Sequence, residues 1–225
     1  MIRIKIGLPF LCCIALTNLS LGQATKTKSA FNKPLADKLD SVLIDAQNDR
    51  EKFGKMLDNG IKDTAAFVAL AMKVRYQDTI NQAKVEDILA KYGWLGPNVV
   101  GEEGDSVLFM AIQKARLEKQ EKYLPMLQDA VKHGEAKARN LAMLEDIVNL
   151  REGKKQVYGT QLDENKQPGV IGVSPLEDPD NVDKRRAEMG LPTMAEYCRN
   201  SNISWDLERY KKGLPLLSMS TISKN

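Results

Sequence analysis

From Pro34 to Arg151 the apolar residues recur at three- and four-residue spacing, the period of helices with one buried face. Leu35, Leu39, Val42, Leu43 and Ala46 mark a first helix, with Pro34 placed in its opening turn. Asp63 and Thr64 are positioned to cap a second, carrying Ala66, Val68, Ala69, Met72 and Tyr76. A third is predicted after Asp78, with Ile80, Ala83, Ile88, Leu89 and Tyr92 on one face and Gly93 at its end. Gly93 to Gly101, which holds Trp94, reads as a glycine-rich turn. Three more helices follow, from Asp105 to Leu117, Lys119 to Lys132 and Lys137 to Arg151. Links as short as His133-Gly134-Glu135 make successive helices antiparallel neighbours.

Beyond Gly153 the period changes to alternation. Gln156-Val157-Tyr158-Gly159-Thr160-Gln161-Leu162 is followed by the turn-rich segment 163–169 and a short run from Val170 to Val173, which predicts a hairpin with a long loop. On a strand, Gln156, Tyr158 and Thr160 would share one face, and Val157 and Gln161 the other. Asp180 or Asn181 starts a short helix that ends at Gly190 before Pro192, and Thr193 with Glu196 forms a capping box for another. The expectation is a mainly α protein: one antiparallel helical domain over 34–200 with a single small β-hairpin. A flexible polar lead-in is expected over 23–33 and a peripheral tail over 201–225. Trp94 is expected to be buried under the hairpin or against the helices.

The N-terminus adds a location. Arg3 and Lys5 precede an apolar run from Ile6 to Leu16, and Ser20 and Gly22 stand at −3 and −1 of a cut before Gln23. This is the order of a secretory signal over 1–22, and the run is shorter than the roughly 20 apolar residues needed to span a bilayer. The competing reading is an uncleaved anchor. A periplasmic or secreted mature chain, with no stable membrane anchor, is expected. Cys12 and Cys13 fall within the signal, which leaves Cys198 alone and without a disulfide partner.

Of 33 Lys and Arg, two lie in the signal and no acid does, so 31 bases face 30 acids in the mature chain. Near-neutral charge supplies no electrostatic footprint for nucleic acid. The sole histidine, His133, reads as a helix C-terminal residue favoured by the dipole. One His and one mature Cys disfavour a zinc site, and no nucleophile-elbow pattern accompanies His133. No metal and no cofactor is expected.

The densest chemistry lies in Gln156, Tyr158, Thr160 and Gln161: two amides, a phenol and a hydroxyl beside Gly159. Such a face suits a polar ligand such as a sugar or peptide. The alternative is that these groups satisfy exposed backbone. Arg185 and Arg186 are candidate helpers at the site, or else pair with acids such as Asp146 and lock a helix against the hairpin.

The chain resembles a bacterial family catalogued as domain of unknown function 6624. The resembling residues are Gly93-Trp94, Val100-Gly101-Glu102-Glu103, Ile112-Gln113, the run from Asn140 to Asp146 and the run from Arg151 to Gln161. They continue with Glu177-Asp178-Pro179, Val182-Asp183, Arg185-Arg186, Gly190-Leu191-Pro192 and Tyr197. The resemblance implies domain boundaries but no reaction. Members of the family often carry His directly after the Gln at Gln113, whereas this chain has Lys114.

Two functional expectations follow. One is an exported non-catalytic binding or interaction module for a small polar ligand or a protein partner. The alternative is an enzyme of unassigned type using carboxylates with Tyr158 or Arg185. An enzyme should converge carboxylates on Tyr158 and Gln161 in a deep pocket, whereas a scaffold should pair those groups with one another.

Overall fold

The structure, a computed structural model, describes residues 30–164 and 171–218. The expected signal over 1–22, most of the lead-in, the middle of the hairpin loop and the last residues of the tail lie outside the described residues.

Helix α1 (Lys33–Asp58) begins where the Asn32 side chain accepts the Leu35 N–H, with Pro34 in the first turn. Helix α2 (Thr64–Tyr92) is capped by Asp63, which accepts the Ala66 N–H, and it ends at Gly93. The two helices expected on either side of Asp78 are therefore one. No Gly or Pro interrupts 64–92, and Asp78 turns its carboxylate to Arg50 of α1 rather than to a helix end. The face expected for its first half is also corrected: Val68, Met72 and Tyr76 are exposed. Along that half α2 buries no residue and meets α1 through the Phe53–Phe67 stack; burial begins at Asn81 and continues through Val85, Ile88 and Leu89.

Helix α3 (Pro97–Gln113) starts inside the segment expected to be a turn. Its first turn is separated from the rest by a kink at Gly101, whose φ of 75° is open to glycine and strained for other residues. Helices α4 (Leu117–Lys132) and α5 (Ala138–Arg151) follow and pack on one another. The five helices enclose one core built on Leu39, Ile88, Leu89, Leu108, Leu127 and Leu144, and Trp94 is buried within it against the helices. Each such buried side chain contributes about 1.5–3 kcal/mol.

A second, smaller core is formed by Val173, Leu176, Val182, Met194, Cys198, Ile203 and Leu216. Strands β1 (Leu162–Glu164) and β2 (Ile171–Val173) pair antiparallel, Leu162 opposite Val173. The ladder thus begins at Leu162; of the expected strand over 156–161 only Gln156 pairs, in a single parallel bridge to Leu176, and the rest is an irregular loop. A 3-10 turn (Pro179–Asn181) leads into α6 (Val182–Glu188), and the Thr193/Glu196 capping box opens α7 (Met194–Asn200). In the segment after Ser201, β3 (Ile203–Ser204) pairs with β4 (Leu217–Ser218) around α8 (Leu207–Lys211), giving a second strand pair where one hairpin was expected. Ile203 and Leu216 are buried, and the Tyr210 hydroxyl accepts the Leu176 N–H at 2.6 Å, which fixes this segment to the body. The architecture is mainly α with small antiparallel strand pairs. No described helix is long and apolar enough to cross a membrane.

Candidate functional site

The loop from Gln156 to Gln161 leaves the end of α5 and enters β1, between the two cores. Its backbone hydrogen bonds go mostly to side chains. The Asp146 carboxylate, buried on α5, accepts N–H bonds from Val157 at 2.6 Å, Tyr158 at 3.0 Å and Thr160 at 2.9 Å. It also accepts the Thr160 hydroxyl at 2.9 Å. Successive backbone N–H groups aimed at one point form an anion-binding concavity, and here the anion belongs to the chain itself.

The carbonyl side is held from the second core. Arg186, buried on α6, donates to the carbonyls of Tyr158 at 2.7 Å, Gly159 at 3.2 Å and Pro192 at 2.5 Å. Arg185 donates to the carbonyls of Val157 at 2.9 Å, Glu177 at 2.6 Å and Asp178 at 2.9 Å. The Tyr197 hydroxyl donates to the Thr160 carbonyl at 2.6 Å, and its ring carries the Arg186 guanidinium at 4.9 Å. Burial lowers the Arg186 pKa from its ordinary value, with nearby Tyr197 opposing the shift. Gln156, fully buried, closes the loop on itself. Its amide donates to the Gln161 and Ser174 carbonyls at 3.1 and 2.8 Å and accepts the Gln161 N–H at 2.9 Å. Gly159 sits at φ +69°, and a Cβ there would meet Met194 Sδ at 2.7 Å.

The structure thus brings all six sequence-selected residues together and gives most of them internal partners. Gln156, Thr160 and Arg186 are buried; Tyr158, Gln161 and Arg185 keep part of their side-chain surface. The expected arginine–carboxylate lock is corrected in detail. Arg185 reaches Asp178 at 3.3 Å, but most of its bonds, and all those of Arg186, go to carbonyls, because an irregular loop leaves those acceptors without ladder partners. The Tyr158 hydroxyl meets Glu145, which also accepts from Gln128 at 2.9 Å. Burial, with the nearby Glu145 carboxylate, pushes this phenol up to about 12, so it stays protonated at neutral pH. Two features had no local signal in the sequence. Asp146 is read from residues 11 to 14 positions away, and Tyr197 from 37.

A separate groove lies between α1, α2 and α3, with a volume of about 760 Å³. That falls within the range of roughly 300–1,000 Å³ typical of small-ligand sites. Val42, Leu43, Val107, Met110 and Ala111 supply its apolar lining. Arg50, Glu51, Asp78 and Lys114 bring charge to it. Arg50 pairs with Asp78 at 2.5 Å and Glu51 with Lys55 at 2.6 Å. Asn81, buried at the groove, donates to the Val42 carbonyl at 3.1 Å and holds α2 to α1. The groove had no signature in the sequence because its lining comes from three helices and forms no motif.

Among the described residues no group of His, Cys, Asp and Glu is arranged to hold a metal ion. His133 is the C-cap of α4, its Nδ1 at 2.8 Å from the Asp129 carbonyl. Cys198 is fully buried in the second core, and burial pushes its thiol up to about 11.

No curated protein and no solved structure matches the chain. A family model matches residues 36–209, from α1 into α8, and so takes in both cores and the loop between them. The chain belongs to that family, a family of unknown function (DUF6624).

Proposed function

We propose that the mature protein is an exported, non-catalytic binding module whose ligand, a small molecule with a polar group or a segment of a partner protein, sits in the groove between α1, α2 and α3. The observation that carries this reading is the division of labour between the two candidate regions. Around 156–161 the amides, hydroxyls and guanidiniums have partners within the chain, the buried Arg186 Nη2 alone excepted among the described residues. The groove instead combines ligand-sized volume, an apolar lining and a charged edge. The absence of reaction in the proposal is supported by the same pattern: Tyr158 is held as a neutral phenol, and Arg185 is engaged with carbonyls. Export is supported by the signal-like order from Arg3 to Gly22.

Thermal-shift screening of the mature chain against cell-wall fragments, sugars and peptides tests the binding site. A ligand that raises the melting temperature of wild type but not of Met110→Arg, which puts a charge on the apolar wall of the groove, supports the reading. A ligand lost in Tyr158→Phe and retained in Met110→Arg overturns it, as does any ligand recovered chemically altered. For export, intact-mass measurement on protein from its native envelope should show a chain beginning at Gln23. Retention of Met1 would remove that part of the proposal.

A further inference from the structure

We infer that the groove between α1, α2 and α3 selects a monoanionic amphiphile, a medium-chain carboxylate, with its head held by Lys114 and Arg50. The inference rests on the groove being the binding site. It follows from the charges around the groove and how they are already matched. Both carboxylates there are neutralised within the chain: Asp78 by Arg50 and Glu51 by Lys55. Lys114, exposed at the C-cap of α3, has no ion pair or side-chain hydrogen bond among the described residues. Arg50 directs a single Nη2 bond to Asp78, leaving its other N–H donors without acceptors among the described residues. The groove therefore has one uncompensated positive charge and a second cation with donors to share, and it offers no unpaired carboxylate.

The rest of the ligand is set by the lining. Val42, Leu43, Val107, Met110 and Ala111 give an apolar wall whose one polar atom is the weakly accepting Met110 sulfur. Of the three amides that also line the groove, Asn81 donates to the Val42 carbonyl and Gln82 to Glu86, leaving Gln47 at the rim. A sugar would leave most of its hydroxyls facing that wall unpaired, which is costly. An alkyl chain satisfies it, and a single anionic head at the edge matches the excess charge.

Isothermal titration of the mature chain with decanoate, decyltrimethylammonium and 1-decanol, each below micelle formation, tests the inference. Decanoate should bind at least about tenfold more tightly than the cation of equal chain length, the scale of one charge–charge contact near a protein surface. Lys114→Glu should weaken decanoate by about tenfold or more and leave 1-decanol within about twofold, and Lys114→Gln should fall between. Met110→Arg should abolish binding of all three. Melting curves of each variant establish that it is folded, and Lys114, being exposed, is expected to melt as wild type. If 1-decanol or the cation binds as tightly as decanoate while Met110→Arg abolishes both, the groove remains the site and the anion inference is overturned. If decanoate binds equally to wild type and Met110→Arg, the groove reading itself fails. If no amphiphile binds, the inference falls and the ligand screen alone decides the groove.

Discussion

Asp146 and Arg186 hold opposite edges of the same loop. The carboxylate collects the N–H groups of Val157, Tyr158 and Thr160, and the guanidinium collects the carbonyls of Tyr158 and Gly159. Asp146 stands on α5 in the first core, and Arg186 on α6 beside the second. The loop is thus the joint between the cores, and both charges are buried without facing each other directly as an ion pair. Each is balanced by backbone dipoles, which is how a charge survives burial without a counter-ion.

Removing the anion side should be severe. Asp146→Ala leaves three loop N–H groups and the Thr160 hydroxyl without their acceptor, and an unsatisfied buried donor costs about 1–3 kcal/mol. Urea unfolding should show a loss of about 4 kcal/mol, at the high end for a point substitution. A loss under about 1 kcal/mol would mean that the loop does not depend on Asp146.

Gly159→Ala tests the same joint by sterics. The new Cβ would take up φ +69° and meet Met194 Sδ at 2.7 Å, in a side chain that is itself fully buried. Left-handed backbone costs about 1–2 kcal/mol for a non-glycine residue, and the displaced Met194 adds to it. A stability loss of about 2–4 kcal/mol by denaturant titration is expected, with no change in groove-ligand affinity when folded.

In the first core, Lys137 sits 3.1 Å from Asp105 Oδ2 and 2.5 Å from Glu102 Oε2. Neither Asp105 oxygen has a well-formed hydrogen bond, so the ammonium acts on it mainly as a nearby charge. Glu102 raises the Lys137 pKa most, burial opposes the shift, and Asp105 adds to the rise. Lys137→Met should cost about 3 kcal/mol, because it strands a buried carboxylate. In an Asp105→Asn background the same change should cost well under half of that, a coupling that a double-mutant cycle measures directly.

Alkaline pH should weaken the fold through several groups whose pKa folding raises, Tyr197, Tyr210 and Lys137 among them, and two of these shifts are large. The Cys198 thiol, ordinarily near 9.0, stands at about 11, and the Tyr158 phenol, ordinarily near 10.0, stands at about 12. In both, the folded state holds its proton more tightly than the unfolded state. Their contribution is therefore complete below pH 9 and is lost as pH rises from there towards 12. Cys198→Ser should flatten the lower part of that decline and Tyr158→Phe the upper part. Thiol titration at pH 8 should find Cys198 unreactive in the native chain and fully reactive in denaturant.

Much of the helical domain was legible because it is local. The Asp63 cap, the Thr193/Glu196 box and the stop at Gly93 are each settled within four residues, and the apolar periods of α4 and α5 mark them as helices. The sequence also identified the chemically dense segment 156–161 and the neighbouring arginines. It misread α2, because residues such as Val68 and Met72 look apolar enough for a core, and only the placement of neighbouring helices leaves them exposed. Alternation in 156–161 suggested a strand, yet strand formation needs a ladder partner, and Asp146 outcompetes one by offering a buried acceptor to three N–H groups at once. The groove was invisible for the same reason. Val42, Asn81 and Met110 lie in three different helices, and their convergence is set by packing between distant segments, which no local pattern along the chain encodes.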